Sequence, residues 1–262
     1  MSGYENWLLT EEAHVATLTL NRPQAMNNLT SETFYELRDI TSHLSTRKDV
    51  WVVIVQGQGD HFSTGMDLGV IEGKIDESEQ THRDYLLSHQ QCLDEFEALE
   101  KPTIAKLRGF CIGGGLILAL CCDFRIASQR TVFSLPEVKL GVPIILGTQR
   151  LTRVAGIAAT KEMILLGKRF TAKAAQAYGL LHKVVPPDKL DAAVATLAAK
   201  FLRLPPRTVG IAKRIINLGC DLSLRESQDL EIDALAELKD SPDVREALDS
   251  YSEKRRPQFT GE

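Results

Sequence analysis

Residues 14–20, from His14 to Leu20, alternate between apolar and polar side chains, the period of a strand with one buried face. Asn21, Arg22 and Pro23 break the run. Thr30 or Ser31 then offers an N-cap, and apolar positions at helical spacing predict an amphipathic helix from Glu32 to Leu44. Val50 to Gln56 is short, apolar and β-branched, bounded by Gly57 and Gly59, which predicts a strand buried on both faces. Residues 61–68 are turn-rich. Residues 69–80 are polar and contain glycine, predicting a mobile surface loop, with a helix after it to about Leu99. Lys101-Pro102 ends that helix, and Thr103 to Leu107 predicts another strand.

Next comes Gly109-Phe110-Cys111-Ile112-Gly113-Gly114-Gly115, then an apolar helix from Leu116 to Cys122 and a strand at 123–127. Repeated strand–turn–helix units predict an α/β architecture. Their period is not fixed, which excludes a simple solenoid. From about Thr171 the pattern is helical, punctuated by Pro186-Pro187 and Pro205-Pro206. The predicted division is an α/β core over 1–205 and a helical region over 206–262.

Three consecutive glycines between a strand and a helix let the backbone approach a ligand closely. A helix starting at Gly114 or Gly115 leaves unpaired N–H groups there, suited to an anion or a developing oxyanion. A tight turn packed on a neighbouring strand explains the glycines equally well. GxGxxG and GxSxG are absent, and GxxxxGK[ST] fails because Gly114 is followed by Gly115-Leu116.

Composition narrows the choice. The 262 residues are 44% hydrophobic and 25% charged, enough to build a sizeable core. Net charge is −4, which argues against a general nucleic-acid-binding surface. The start, from Met1 to Asn6, lacks the basic and apolar regions of a secretory signal, and the longest apolar run, Leu116 to Cys122, cannot span a bilayer. A cytoplasmic protein without membrane partners is the expectation. Five cysteines with no CxxC read as free thiols rather than a disulfide framework. His82 and His89 are seven apart on a predicted helix and could share a face, but no third ligand is evident, so no metal site is expected.

Leu18-Thr19-Leu20-Asn21-Arg22-Pro23, Gly65-Met66-Asp67, Lys101-Pro102, Gly113-Gly114-Gly115, Cys122-Asp123, Pro136-Glu137 and Gly147-Thr148-Gln149-Arg150 follow one another in an order that resembles the crotonase (enoyl-CoA hydratase/isomerase) family. Each motif is weak alone, and the ordered set spans nearly the whole chain. The resemblance implies a spiral of stacked ββα units with a C-terminal helical region used in trimer contacts, and a homotrimer or homohexamer. It implies an acyl-CoA thioester substrate and no separate cofactor. It places an oxyanion hole at the backbone N–H groups of Met66 and Gly114, an acid/base at Glu137, and CoA contacts at Arg22, Ala25, Met26 and Lys254. Gly69 stands where relatives often have a CoA-binding lysine, and Lys74 is a candidate substitute. Asp67 and Asp123 read as capping or turn residues.

The departures point to the reaction. Hydratases of the family usually carry a second glutamate two residues after the glycine triplet, where this chain has Ile117. Dienoyl-CoA isomerases and dehalogenases place an aspartate near Ile145, and none is present. Water addition divides naturally between two carboxylates, whereas shifting a double bond needs one base that removes a proton and returns it elsewhere. An apolar wall of Ile117, Ile144 and Ile145 would exclude water and favour the neutral form of Glu137. The expected activity is therefore an enoyl-CoA isomerase. The alternatives are a single-glutamate hydratase of an enoyl-CoA or of a cyclic or dienoyl-CoA, and a non-catalytic CoA-thioester-binding protein.

Overall fold

The computed structural model describes residues 3–262, so Met1 and Ser2 lie outside it. A hairpin opens the chain: β1 (Trp7–Glu12) pairs antiparallel with β2 (Val15–Leu20), with Trp7 opposite Leu20. Then come α1 (Ser31–Thr46), β3 (Val52–Gly57), the short α2 (Leu68–Glu72), α3 (Glu79–Glu97) and β4 (Thr103–Leu107). They are followed by β5 (Phe110–Ile112), α4 (Gly114–Leu120), β6 (Phe124–Ser128), β7 (Val132–Ser134) and α5 (Thr148–Leu166). The series ends with β8 (Arg169–Thr171), α6 (Ala172–Ala177), β9 (Lys183–Val185), α7 (Leu190–Phe201), α8 (Pro206–Gly219), α9 (Leu224–Glu237) and α10 (Pro242–Ser252).

The strands form two sheets. The larger runs β1-β2-β3-β4-β6-β9, parallel from β2 onward, and the smaller runs β5-β7-β8. Two further segments extend the small sheet through isolated parallel bridges, Ser63 to Cys111 and Leu29 to Met66. Each turn of the chain thus lays one strand in the large sheet, one short segment in the small sheet, and a helix outside. β2, residue 29 and α1 make one such turn. β3, residues 63–66 and α3 make the next, and β4, β5 and α4 the third. This is the expected spiral of ββα units. Side chains between the sheets are fully buried, among them Leu18, Val53, Val55, Phe62, Ala105, Leu107 and Phe133. Burial on this scale is the main force holding the coil together.

Local chemistry explains most boundaries. Thr30, one of the two proposed caps, accepts from the Thr33 backbone N–H in a reciprocal capping box. Pro206 occupies the first turn of α8, where its missing N–H costs nothing. Two expectations are corrected. Residues 69–80 are not simply a loop: Asp67 accepts from the Gly69 N–H and caps α2 within them. Strand β1 was not foreseen, because Leu8-Leu9-Thr10-Glu11-Glu12 lacks clear alternation and forms by pairing with β2. No helix of the described residues is long and apolar enough to cross a membrane.

From Pro206 the chain is helical, and α8, α9 and α10 share a small cluster around Ile211, Ala234 and Leu238. Asp123, before β6, fixes α8 to the core. Its carboxylate accepts from the Thr103 N–H at 2.7 Å and Thr103 Oγ1 at 3.0 Å, and pairs with Lys213 Nζ at 2.9 Å. Lys213 is 8% exposed, so its ammonium depends on that partner. Asp123→Ala should therefore destabilise the protein by about 2–4 kcal/mol in denaturant unfolding, and adding Lys213→Met should recover much of the loss.

Candidate active site

The close approach of two glycine-bearing segments builds the site. After β5, Gly113 takes φ 53° and ψ −128°, open to glycine and not to other residues, and α4 starts at Gly114. Gly65, at φ +88°, faces it: a side chain there would start 2.9 Å from the Ile112 carbonyl oxygen and 3.0 Å from the Gly114 nitrogen. Ser63 secures the crossing. It is fully buried, donates to the Asn27 carbonyl at 2.7 Å, and accepts from the Gly65 N–H at 3.1 Å. It lies so close beneath Gly115 that any Cβ there would collide with it.

The bridge to Leu29 orients Met66. Leu29 N–H donates to the Gly65 carbonyl at 2.8 Å, and Asp67 N–H donates to the Leu29 carbonyl at 2.9 Å. Strand alternation then turns the Met66 N–H away from Leu29. Neither that N–H nor the Gly114 N–H has an acceptor among the described residues. The two lie together, since a Cβ on Gly114 would sit 3.5 Å from the Met66 nitrogen. Asp67 braces the turn, accepting from Asn28 Nδ2 at 2.7 Å and pairing with Arg22 at 3.6 Å.

Glu137 opens a 3₁₀ turn, Glu137–Leu140, after Pro136. Its carboxylate lies directly over Gly113, where any larger residue would strike Oε1. Oε2 is buried without a hydrogen-bond partner. Burial pushes its pKa up to about 7, outweighing the opposing effect of its own backbone N–H.

These groups open on a cavity of about 580 Å³. Gly65, Met66, Gly113, Gly114 and Glu137 line it together, and among the described residues Glu137 is the only carboxylate in its lining. Ile117, Ile145, Ala25 and Met26 also line it. Ile144 does not. It is 6% exposed and belongs to the buried core, where the turn after Pro143 directs it, while Ile145 faces the cavity. Arg22 lies outside the lining, held by Asp67, and Lys254 is an exposed residue beyond α10 that does not reach it within one chain.

Sequence reasoning missed the wall contributed by α3, which is His82, Tyr85, Leu86, His89 and Leu93. The signal was available as i, i+3, i+4, i+7 spacing, of which only the two histidines had been singled out. They do share a face, and among the described residues no group of three or more His, Cys, Asp or Glu side chains could hold a metal ion. Lys74 lines the cavity with its ammonium engaged by Glu77 at 2.7 Å. All five cysteines are free, with Cys92, Cys111, Cys121 and Cys122 buried.

The family model for enoyl-CoA hydratase/isomerase matches residues 10–262. The chain belongs to that family. Among its relatives, a crotonyl-CoA hydratase of Syntrophomonas wolfei is 34% identical over 259 residues, covering 98% of both proteins. An (E)-benzylidenesuccinyl-CoA hydratase of Thauera aromatica is 35% identical over 250 residues, covering 95% of this chain and 96% of the other. An enoyl-CoA hydratase from Bacillus anthracis superposes with a TM-score of 0.91 at 32% identity, over 98% of this chain and all of that one.

The raised Glu137 pKa has a consequence for stability in this crotonase-fold chain. Between about pH 4.5 and 7 the folded carboxyl binds more proton than the unfolded one, so ionisation costs stability as pH rises through that window. Glu137→Gln should therefore stabilise the fold by about 1–3 kcal/mol at pH 8 and by much less near pH 4.5, as read by denaturant unfolding at the two pH values.

Proposed function

We propose that this chain shifts a double bond within an enoyl-CoA thioester, with Glu137 as its single proton carrier. The observation that carries the reading is that, among the described residues, Glu137 is the only carboxylate lining the cavity and sits beside two amides without acceptors. The thioester oxygen accepts from the Met66 and Gly114 N–H groups. The Glu137 carboxylate takes a proton from the α-carbon, and the electron pair spreads into a dienolate whose negative oxygen the two amides hold. The neutral acid then returns the proton to the γ-carbon, leaving the α,β-unsaturated thioester. No water enters the balance. A donor of this kind contributes roughly 100- to 1000-fold in rate.

The pKa near 7 suits a group that must both take and give the same proton. Ile117, where a second acid would stand, and Ile145 keep the surroundings apolar. On this reading Ala25 and Met26 meet the CoA end of the ligand, and Arg22 contributes there only if it leaves Asp67. Lys254 would act from another subunit. Exposed apolar residues along the C-terminal helices, including Ile216, Leu224, Ile232, Leu235 and Leu248, support a homotrimer or homohexamer.

A second reading, hydration by one glutamate, is favoured by the activities named for the relatives, several of which are hydratases. Mass spectrometry of the product separates the two. A 3-enoyl-CoA converted to its 2-enoyl isomer without change in mass supports isomerisation, and gain of one water by a 2-enoyl-CoA supports hydration.

Glu137→Gln should slow the isomerisation by about 10²- to 10⁴-fold, and a variant as fast as wild type would overturn the assignment. The free enzyme needs the ionised carboxylate, so kcat/KM should fall as pH drops below about 7, and a profile flat from pH 5 to 8 would count against the same role.

A further inference from the structure

Helix α3 lines the cavity with polar groups whose hydrogen-bonding capacity is unmet, among them the buried His82 Nδ1 and His89 Nε2. His89 is 2% exposed, and its Nε2 is buried with no partner. Its Nδ1 lies 2.7 Å from the Tyr85 carbonyl oxygen, which can only accept, so Nδ1 carries the proton. Burial lowers the pKa of the ring, which is therefore neutral, and Nε2 presents a lone pair. The Tyr85 hydroxyl accepts from Ser31 Oγ at 3.3 Å, and burial raises its pKa, so it keeps its proton. That proton has no acceptor among the described residues. The ring centres of His89 and the half-buried Tyr85 are 4.2 Å apart, so the two side chains line the same part of the cavity. Buried polar groups are rarely left unpaired unless something else pairs them.

The position of the pair along the cavity follows from α1 and the residues before it. Leu29 packs against Gly114, at the proposed thioester end. Ser31, two residues on, meets Tyr85, and Phe34, a turn farther, packs edge-on against His89 with ring centres 4.6 Å apart. The polar pair therefore lies displaced from the glycines, among Phe34, Leu86 and Leu93.

We propose that the acyl group taken by this site carries a hydroxyl at the end remote from the thioester, donating to His89 Nε2 and accepting from the Tyr85 hydroxyl. A hydroxyl satisfies both groups at once. A carboxylate has no proton to give and would face the Nε2 lone pair, and Lys74 nearby is already engaged by Glu77. Nε2 is screened from solvent in the empty site, so the side chains that cover it must move when the ligand enters. His89 and Tyr85 would thus set specificity and take no part in the proton transfer.

This inference rests on the thioester reading above, and the test keeps the two apart. Saturated CoA thioesters in matched pairs, differing only in a distal hydroxyl, are titrated by calorimetry over a chain-length series and one aryl pair. At the best-fitting length the hydroxylated member should bind about tenfold or more tightly. His89→Leu and Tyr85→Phe should each bring that ratio towards one. Tyr85→Phe removes a single oxygen and carries the comparison if His89→Leu does not fold. A wild-type ratio at or below one across the series, or a ratio unchanged in both variants, would overturn the inference. Turnover of enoyl thioesters without hydroxyl preference sinks this inference alone, and hydroxyl preference without turnover sinks the reaction assignment alone.

Discussion

The site depends on one backbone crossing, the contact of residues 63–66 with residues 112–115. Four local features make it possible. Gly65 and Gly113 adopt positive φ, Gly115 leaves room for Ser63, and the Leu29 bridge consumes the groups on either side of Met66. What remains is two N–H donors, from different turns of the spiral, without acceptors. Secondary structure normally pairs such groups. Here the coil holds them unpaired, because Met66 belongs to a bridge whose hydrogen bonds point elsewhere and Gly114 to the first turn of a helix. Preorganised donors of this kind need little rearrangement when negative charge develops beside them.

The same crossing governs Glu137. The missing side chain at Gly113 is what admits its carboxylate, and the burial that results raises its pKa to about 7. A carboxylate in water would be ionised throughout the neutral range and a weak proton donor. In this position it can change protonation state at little cost. The arrangement holds because the rest of the coil is densely buried, and because Asp67, Asn28 and Ser63 fix the loops on which the donors ride.

Much of this was legible in the sequence, for identifiable reasons. The parallel strands at 52–57 and 103–107 carry apolar, β-branched runs, and α1 has both its cap and its amphipathic spacing. Gly113, Gly114 and Gly115 stand out because a three-glycine run between strand and helix has few structural explanations. Other features were not legible. β1 and the short strands of the small sheet have no pattern of their own and exist through their partners. The facing of Ile144 and Ile145 depends on a turn whose geometry sequence spacing does not specify. The α3 wall was overlooked because its polar rings resemble an exposed helical face until Phe34 and the 68–78 segment cover them.

A division follows between what backbone and side chain can each vary. The proposed oxyanion donors are amides, so they persist through any substitution that keeps the glycines and the Leu29 bridge. Position 117, by contrast, is a side chain on α4, and its isoleucine leaves the crossing undisturbed because α4 buries that face. The α3 side chains lie on a separate helix, so they can vary without changing the backbone of the crossing. On the proposed reading, such a fold would keep the stabilisation of an enolate fixed while the acids set the reaction and α3 the acyl group. Conserving the chemistry at the thioester and changing what lies beyond it then become separate problems for the same chain.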